Sequence, residues 1–254
     1  METYFNVRYE FDKKKVHEAV DLRLKEEGSD YICVSDGVVL NSANRDPEYL
    51  NVVNGGMFSI CDSSFVPLYL KWLYRIKREQ YCGSQIFHDY VFELPPKRMI
   101  FLGGSQSVLD GLKKHLTEKR PDIADMKFVE LPFLGVEAFD YPGIAKMIEE
   151  DGADIIWVAL GAPKQEKFMS RLKPYLSHGV MMGVGAVFKF YSGLEASRAP
   201  KWMVDRHMEF IYRIFSEPKK QLKRCGWIIA TLPGLLLQEH KRKKLSQGHY
   251  TASR

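Results

Sequence analysis

The sequence predicts an α/β protein built on a mostly parallel, doubly wound sheet with helices on both sides. Short apolar runs alternate along the chain with segments in which apolar residues recur at helical spacing. The runs are apolar on both faces, which is typical of strands buried between two layers of helices. A chain of 254 residues with 45% hydrophobic and 27% charged residues is long and apolar enough to form a sizeable core, which excludes intrinsic disorder.

The predicted elements follow one another in order. A helix at residues 16–25 precedes the compact run YICV at 31–34, which is the first strand. The later elements are a helix at 66–77, a strand at 99–102, a helix at 108–116, a strand at 127–131, a helix at 144–150, a strand at 153–161, a helix at 165–176 and a strand at 180–185. Helix-rich sequence follows residue 199. We divide the chain into an α/β domain at 1–215 and a basic helical appendage at 216–254.

Charge is distributed unevenly along the chain. Residues 217–244 hold eight basic side chains against two acidic ones, a net charge of +6, which leaves −1 for the rest of a chain whose net charge is +5. A basic tail of this kind indicates an anionic partner, which can be nucleic acid, membrane headgroups or substrate phosphate. Four scattered cysteines argue against a disulfide scaffold or a zinc ribbon. Because the sequence has neither a secretory h-region nor an apolar run of membrane-spanning length, we expect a cytoplasmic protein.

A first candidate binding turn, Gly103-Gly104-Ser105, lies between a predicted strand and a predicted helix. Glycine lets the backbone approach a ligand, and the helix N-terminus supplies N–H groups that favour an anion. A tight turn that binds nothing is an equal alternative. The spacing does not match the dinucleotide-binding fingerprint.

Two further turns follow predicted strands. The segment GAPKQE at 161–166 puts Lys164 at a helix N-terminus, where a cation is unfavourable unless it helps to hold an anion, whereas Glu166 can simply cap the helix. The segment GVG at 183–185 precedes Phe188 and Phe190, which can stack on a base or sugar or fill the space beneath the sheet.

Four motifs in one order carry a family resemblance. They are GAPKQE at 161–166, GVGAVFKFYSG at 183–193, RAPKW at 198–202 and EFIYRIFSEP at 209–218. Together they resemble the WecG/TagA/CpsF family of bacterial glycosyltransferases over residues 30–225. The resemblance implies a Rossmann-like fold of the GT-E type, a UDP-sugar donor, an undecaprenyl-diphosphate-linked saccharide acceptor at the cytoplasmic membrane face, inversion at the anomeric carbon, and no bound metal or other cofactor. The product would be a cell-surface polysaccharide.

The resemblance also implies the roles of individual residues. Asp62 is the candidate general base, with Asp36 next in line, and Arg213 is the candidate cation for the leaving diphosphate. Ser63 replaces the usual glycine after Asp62. The predicted substrate-binding residues are Ser35, Asp36, Asn54, Gly103, Gly104, Ser105, Gly161, Pro163, Lys164, Gln165, Glu166, Gly183, Gly185, Arg198, Lys220 and Arg224. The alternatives are that Asp62 caps the next helix and that Arg213 makes an ordinary surface pair with Glu209.

The tail has two interpretations. The apolar stretch at 227–237, followed by Lys241 to Lys244, suits a helix lying in the interface of an anionic membrane. The alternative is a helix that packs on the body with a solvated basic end. Two other function classes remain open: a non-catalytic sugar-nucleotide-binding protein and a nucleic-acid-binding protein, although the chain has no nucleic-acid-reading motif and we expect no nucleic-acid partner. A homo-oligomer is also left open.

Overall fold

The computed structural model describes residues 1–193 and 218–251, and it describes the side chains of the last helix from 226 to 245. Within this part of the chain, eight strands form one sheet. They are β1 (Glu2–Tyr4), β2 (Val7–Tyr9), β3 (Asp30–Ser35), β4 (Phe58–Cys61), β5 (Met99–Gly103), β6 (Lys127–Val129), β7 (Ile155–Ala159) and β8 (Val180–Gly183). Their spatial order is β1-β2-β4-β3-β8-β7-β5-β6, and every neighbouring pair is parallel except β1 and β2.

Helices cover both faces of the sheet. They are α1 (Lys13–Arg23), α2 (Gly37–Ala43), α3 (Pro47–Asn54), α4 (Phe65–Tyr74), α5 (Gly83–His88), α6 (Gln106–Lys119), α7 (Tyr141–Asp151), α8 (Lys164–Leu172), α9 (Val187–Ser192) and α10 (Pro218–Thr251). Helices α2, α3, α4, α7, α8 and α10 pack on one face, and α1, α5, α6 and α9 on the other. The predicted mostly parallel α/β fold with a C-terminal helix is confirmed.

The β1–β2 hairpin, strand β4 and helices α2, α3 and α5 were not predicted. The β1–β2 hairpin turns through Phe5 and Asn6, both at positive φ, and its three-residue strands are too short to give a period. Strand β4 lies between the predicted strand at 31–34 and the predicted helix at 66–77, where no element was predicted. Helices α2 and α3 are also short, and Asp36 and Asp46 begin them by accepting backbone N–H bonds. Local caps, rather than apolar periodicity, therefore define this part of the chain.

Helix α10 packs against the body with the side chains in its middle. Leu235 joins the core on the α4 side of the sheet. The buried Glu239 carboxylate accepts bonds from Phe5 N (2.9 Å) and Tyr74 Oη (2.7 Å), and Thr231 Oγ1 donates to Asn41 Oδ1. The packing interpretation thus describes this stretch, while Ile229 and Leu237 stay exposed. The division at 215/216 stays a prediction.

No helix in the described ranges combines the length and the apolar character needed to cross a membrane.

Candidate functional site

Five parallel strands end at one edge of the sheet and bring most of the predicted site together. In spatial order β4, β3, β8, β7 and β5 lie side by side and point the same way. The segments that follow them, which begin at Asp62, Asp36, Val184, Leu160 and Gly104, therefore lie along this carboxyl edge. Ligands of open α/β sheets bind at this edge.

Asp62 lies directly after β4 and is held in a fixed orientation. Its backbone N–H donates to Ser35 O (3.0 Å), and its Oδ1 accepts a bond from Gly83 N (3.0 Å) at the start of α5. Ser64, the residue before α4, makes no side-chain cap bond to the helix, and Phe65 N instead donates to Ser63 Oγ (3.3 Å). These contacts do not support the alternative that Asp62 caps α4, and they leave a half-buried carboxylate at the carboxyl edge.

Two other predicted residues, Ser35 and Asp36, make hydrogen bonds inside the fold at the carboxyl edge. Ser35 is fully buried, and its hydroxyl lies 3.1 Å from Tyr9 Oη. That burial corrects the predicted direct contact between Ser35 and substrate. Asp36 caps α2, since its Oδ1 accepts bonds from Val38 N (2.7 Å) and Val39 N (2.9 Å). Both carboxylates are therefore held by backbone N–H groups at a helix start, and Asp36 stays second to Asp62 as a candidate base.

A hydrogen-bond network joins two of the predicted turns. Gln165 Oε1 accepts a bond from Gly161 N (3.1 Å), and its Nε2 donates to Gly183 O (3.1 Å). The same Nε2 donates to Glu166 Oε1 (2.9 Å), whose other oxygen accepts a bond from Tyr49 Oη (3.0 Å). Gln165 thus holds the turn after β7 against the turn after β8.

Glu166 is a correction to the predicted set of substrate contacts. Its side chain is fully buried, so it neither touches a ligand nor caps α8 from the surface. Burial raises the pKa of Glu166 to about 7, against the hydrogen bonds from Gln165 and Tyr49 that favour the carboxylate. Sequence reasoning missed Tyr49 because nothing in the local pattern of α3 shows that its hydroxyl reaches α8.

Lys164 and Pro163 lie at the outer rim of the second turn. Pro163 is exposed. The Lys164 ammonium lies over two aromatic rings, 5.3 Å from the centroid of Phe133 and 5.0 Å from that of Phe139. Both rings belong to the segment after β6. The Lys164 ammonium therefore has two aromatic partners, whereas the sequence predicted only that it helps to hold an anion.

The turn after β5 keeps its predicted place but has a carboxylate beside it. Gly103 adopts φ +99°, and a Cβ atom there would lie 2.8 Å from Ala159 O, so glycine allows close approach of the β5 and β7 ends. At the start of α6, Gln106 N donates to Glu130 Oε2 (3.1 Å). Because the Glu130 carboxylate already lies at this helix N-terminus, it disfavours a ligand anion there. A hydroxyl group of a ligand fits the position better.

Asn54 is a third correction. It ends α3 ahead of β4, at the amino edge of the sheet, opposite the carboxyl edge. Its Oδ1 accepts a bond from Arg8 N (3.0 Å), and its Nδ2 donates to Asn6 O (2.8 Å). Asn54 therefore ties the N-terminal hairpin to α3 and takes no part in the site.

Four predicted residues cannot be placed. Arg198 and Arg213 lie outside the described residues, as do the motifs at 198–202 and 209–217. Lys220 and Arg224 belong to α10, where their side chains lie outside the described part. Among the described residues, no group of three or more His, Cys, Asp or Glu side chains is arranged to hold a metal ion.

A cavity of about 890 Å³ lies beside the end of β2, the strand that pairs with β4. Its lining includes residues that follow β2, such as Asp12 and Lys13, and residues of the segment 77–89, such as Tyr81, Ser84 and Gln85. Because Gly83 holds Asp62, the cavity and the candidate base share this segment. In the order of the strands, Asp62 lies between the cavity and the glycine turns.

The fold defines an α/β protein whose parallel strands bring the glycine turns and a fixed carboxylate, Asp62, together at the carboxyl edge of the sheet. Comparison with known proteins gives the family. The model of the Glycosyl transferase WecG/TagA/CpsF family matches residues 4–246. The chain belongs to this family of glycosyltransferases, as its motifs predicted.

Two curated relatives are similar over most of their length. An N-acetylglucosaminyldiphosphoundecaprenol N-acetyl-beta-D-mannosaminyltransferase of Bacillus subtilis (strain 168) is 25% identical over 224 residues, which cover 84% of each chain. A protein of the same description from Bacillus spizizenii (strain ATCC 23059 / NRRL B-14472 / W23) is 24% identical over 222 residues, which cover 82% of this chain and 78% of the relative.

Proposed function

We propose that this chain transfers an N-acetylhexosamine from a UDP-sugar to a lipid-diphosphate-linked saccharide during cell-surface polysaccharide synthesis, with inversion at the anomeric carbon. The observation that carries the proposal is Asp62, a carboxylate held by the Gly83 N–H between a cavity and the glycine turns. The descriptions of the two relatives supply the class of sugar and the diphosphoundecaprenol acceptor.

The chemistry needs one base and a stable leaving group. A hydroxyl oxygen of the acceptor attacks the anomeric carbon, its proton passes to the Asp62 carboxylate, and the bond from that carbon to the donor diphosphate breaks with the electron pair leaving on UDP. The Gly83 N–H fixes Asp62 so that the carboxylate need not reorient during the reaction. Arg213 is the proposed cation for the charge that develops on the diphosphate.

The donor would lie across the turns after β8, β7 and β5. Gln165 fixes two of these turns relative to each other, and Lys164 supplies a cation at their rim. Glu130, which follows β6 and accepts a bond from the first residue of α6, opposes a phosphate there but can accept a bond from a sugar hydroxyl. The diphosphate therefore belongs nearer to Gly161 and Gly185, and the ribose nearer to Gly103.

The acceptor saccharide would approach from the cavity beside β2, on the other side of Asp62 from the donor. The basic end of α10 would hold the chain at the cytoplasmic face of the membrane through anionic headgroups. Each Lys or Arg near such a surface contributes roughly 1 kcal/mol, so attachment through these groups is reversible and sensitive to salt.

A turnover screen tests the proposal. Purified chain is incubated with UDP-N-acetylmannosamine or UDP-N-acetylglucosamine and a short-chain prenyl-diphosphate N-acetylglucosamine, and UDP release and glycosylated lipid are both measured. We expect both products with at least one donor. UDP binding without any transfer across the donor set would instead favour a non-catalytic sugar-nucleotide-binding protein.

A further inference from the structure

Helix α4 shows two faces, of which one is buried and one carries exposed large apolar side chains. Val66, Leu70 and Leu73 pack into the core. On the outer side, Leu68 is 57% exposed and Trp72 is 71% exposed, and Phe65, at 47%, lies on the same side at the start of the helix. Spacings of three and four residues align these three side chains on one helix face. We call Phe65, Leu68 and Trp72 the α4 stripe.

The α4 stripe has a basic surrounding. Helix α4 has no acidic residue in its sequence, and the exposed Lys71 and Arg75 flank the stripe. The basic end of α10 reaches the same helix, since Lys243 Nζ donates to Leu73 O (2.6 Å) and lies 5.5 Å from the centroid of the Tyr74 ring. Cations on two helices thus adjoin one apolar face.

We propose that the α4 stripe docks on a lipid membrane, with Leu68 and Trp72 entering the boundary between headgroups and acyl chains and the neighbouring cations meeting anionic headgroups. An exposed apolar face with tryptophan and a rim of lysine and arginine is the pattern of helices that lie in a membrane interface. This inference rests on the proposed function in one respect, that the acceptor is presented from a membrane.

The position of α4 agrees with this partner. The helix starts three residues after Asp62, so a surface in contact with the stripe would lie next to the candidate base. A lipid-linked sugar could then reach Asp62 without leaving the membrane. In the described part of α10 the exposed large apolar residues are Ile229, Leu237 and Leu245. They are eight residues apart, and each step of eight turns about 80° around the helix axis, so they do not form a comparable stripe.

A second copy of the chain fits the α4 stripe less well. Its three side chains expose roughly 350 Å², estimated from the sizes of such side chains, whereas a stable protein pair buries about 800 Å² on each partner. The surrounding positive charge would also repel the same surface of another copy. Both arguments favour an anionic lipid surface.

Vesicle binding tests the inference without donor or acceptor. The full chain is sedimented with vesicles of 70% phosphatidylcholine and 30% phosphatidylglycerol. We expect the double variant Leu68→Gln/Trp72→Gln to partition at least about tenfold more weakly than the wild type. The variant Leu22→Gln is the matched control, because Leu22 is 60% exposed on α1, on the other face of the sheet, and should bind normally. The conservative Trp72→Phe variant should bind within about twofold of the wild type.

The outcomes separate the two proposals. Wild-type vesicle binding by the double variant, with its folding verified by circular dichroism, would overturn the docking inference and leave α10 as the membrane surface. A wild-type dimer that the double variant dissociates, with vesicle binding unchanged, would also overturn it. Stripe-dependent vesicle binding by a chain that transfers no sugar would support the docking and reject the enzyme proposal alone.

Discussion

Replacing Glu166 by glutamine removes the charge from a carboxyl group that the fold buries completely. The glutamine amide keeps the shape of the side chain, and its oxygen can still accept the bond from Gln165 Nε2 while its nitrogen donates to Tyr49 Oη. The substitution therefore isolates the effect of the charge on stability from the effect of the hydrogen bonds on the turns at Gly161 and Gly183.

The expected magnitude follows from the raised pKa. Burial raises the pKa of Glu166 to about 7 from its ordinary value of 4.5, so the folded chain holds this proton more tightly than the unfolded chain does. The resulting stabilisation is fully present below pH 4.5 and is lost as the pH rises through 7. Between pH 5 and pH 8, this one group lowers the free energy of unfolding by about 2–3 kcal/mol.

The assay is urea unfolding of the wild type and of Glu166→Gln at pH 5, 6, 7 and 8. Because other groups titrate equally in both proteins, the difference between the two free energies of unfolding should shift by about 2–3 kcal/mol in favour of the variant between pH 5 and pH 8. The control Glu118→Gln changes an exposed glutamate on α6 and should show no such shift. Parallel profiles for Glu166→Gln and the wild type would refute the reasoning.

Three further substitutions test other contacts. Gly103→Ala should destabilise the chain by about 2 kcal/mol in urea unfolding, because its Cβ would meet Ala159 O at positive φ; unchanged stability would show that the two strand ends can separate. Glu239→Ala should cost about 2–3 kcal/mol, because Phe5 N and Tyr74 Oη lose their acceptor; the exposed neighbour variant His240→Ala is the control. Lys164→Met should weaken UDP binding about tenfold by calorimetry, because one charged contact is lost. Equal affinity would show that the ammonium contacts its aromatic rings and not UDP.

The sheet and its carboxyl edge could be predicted from the sequence because buried parallel strands have a recognisable pattern. Strands buried on both faces, such as β5, β7 and β8, are continuous apolar runs, and the residues that follow parallel strands must meet at one edge. The glycine turns could be grouped on that basis, whereas Asp62 follows β4, which was not predicted, and was chosen from the family resemblance. The same argument does not apply to Asn54, which precedes a strand and so lies at the opposite edge.

The corrections and omissions inside the site have a different origin. Whether Glu166 faces solvent or Tyr49 depends on how α8 and α3 pack, and that packing leaves no local pattern in the sequence. The bond from Gly83 N to Asp62 was also missed, because Gly83 lies in a segment whose apolar residues have no clear period. The glycine between Cys82 and Ser84, directly before an apolar helical turn, could have indicated the start of a helix there.

The central claim is that Asp62 is the base of a sugar transfer, and its most direct test is the transfer rate of Asp62→Asn. The assay uses the UDP-sugar and short-chain lipid-diphosphate acceptor that the wild type accepts, and calorimetry measures UDP affinity in parallel. We expect transfer to fall at least about a hundredfold while UDP affinity changes less than about twofold, because asparagine keeps the bond from Gly83 N but cannot take a proton. Transfer within a few-fold of the wild-type rate would contradict the claim.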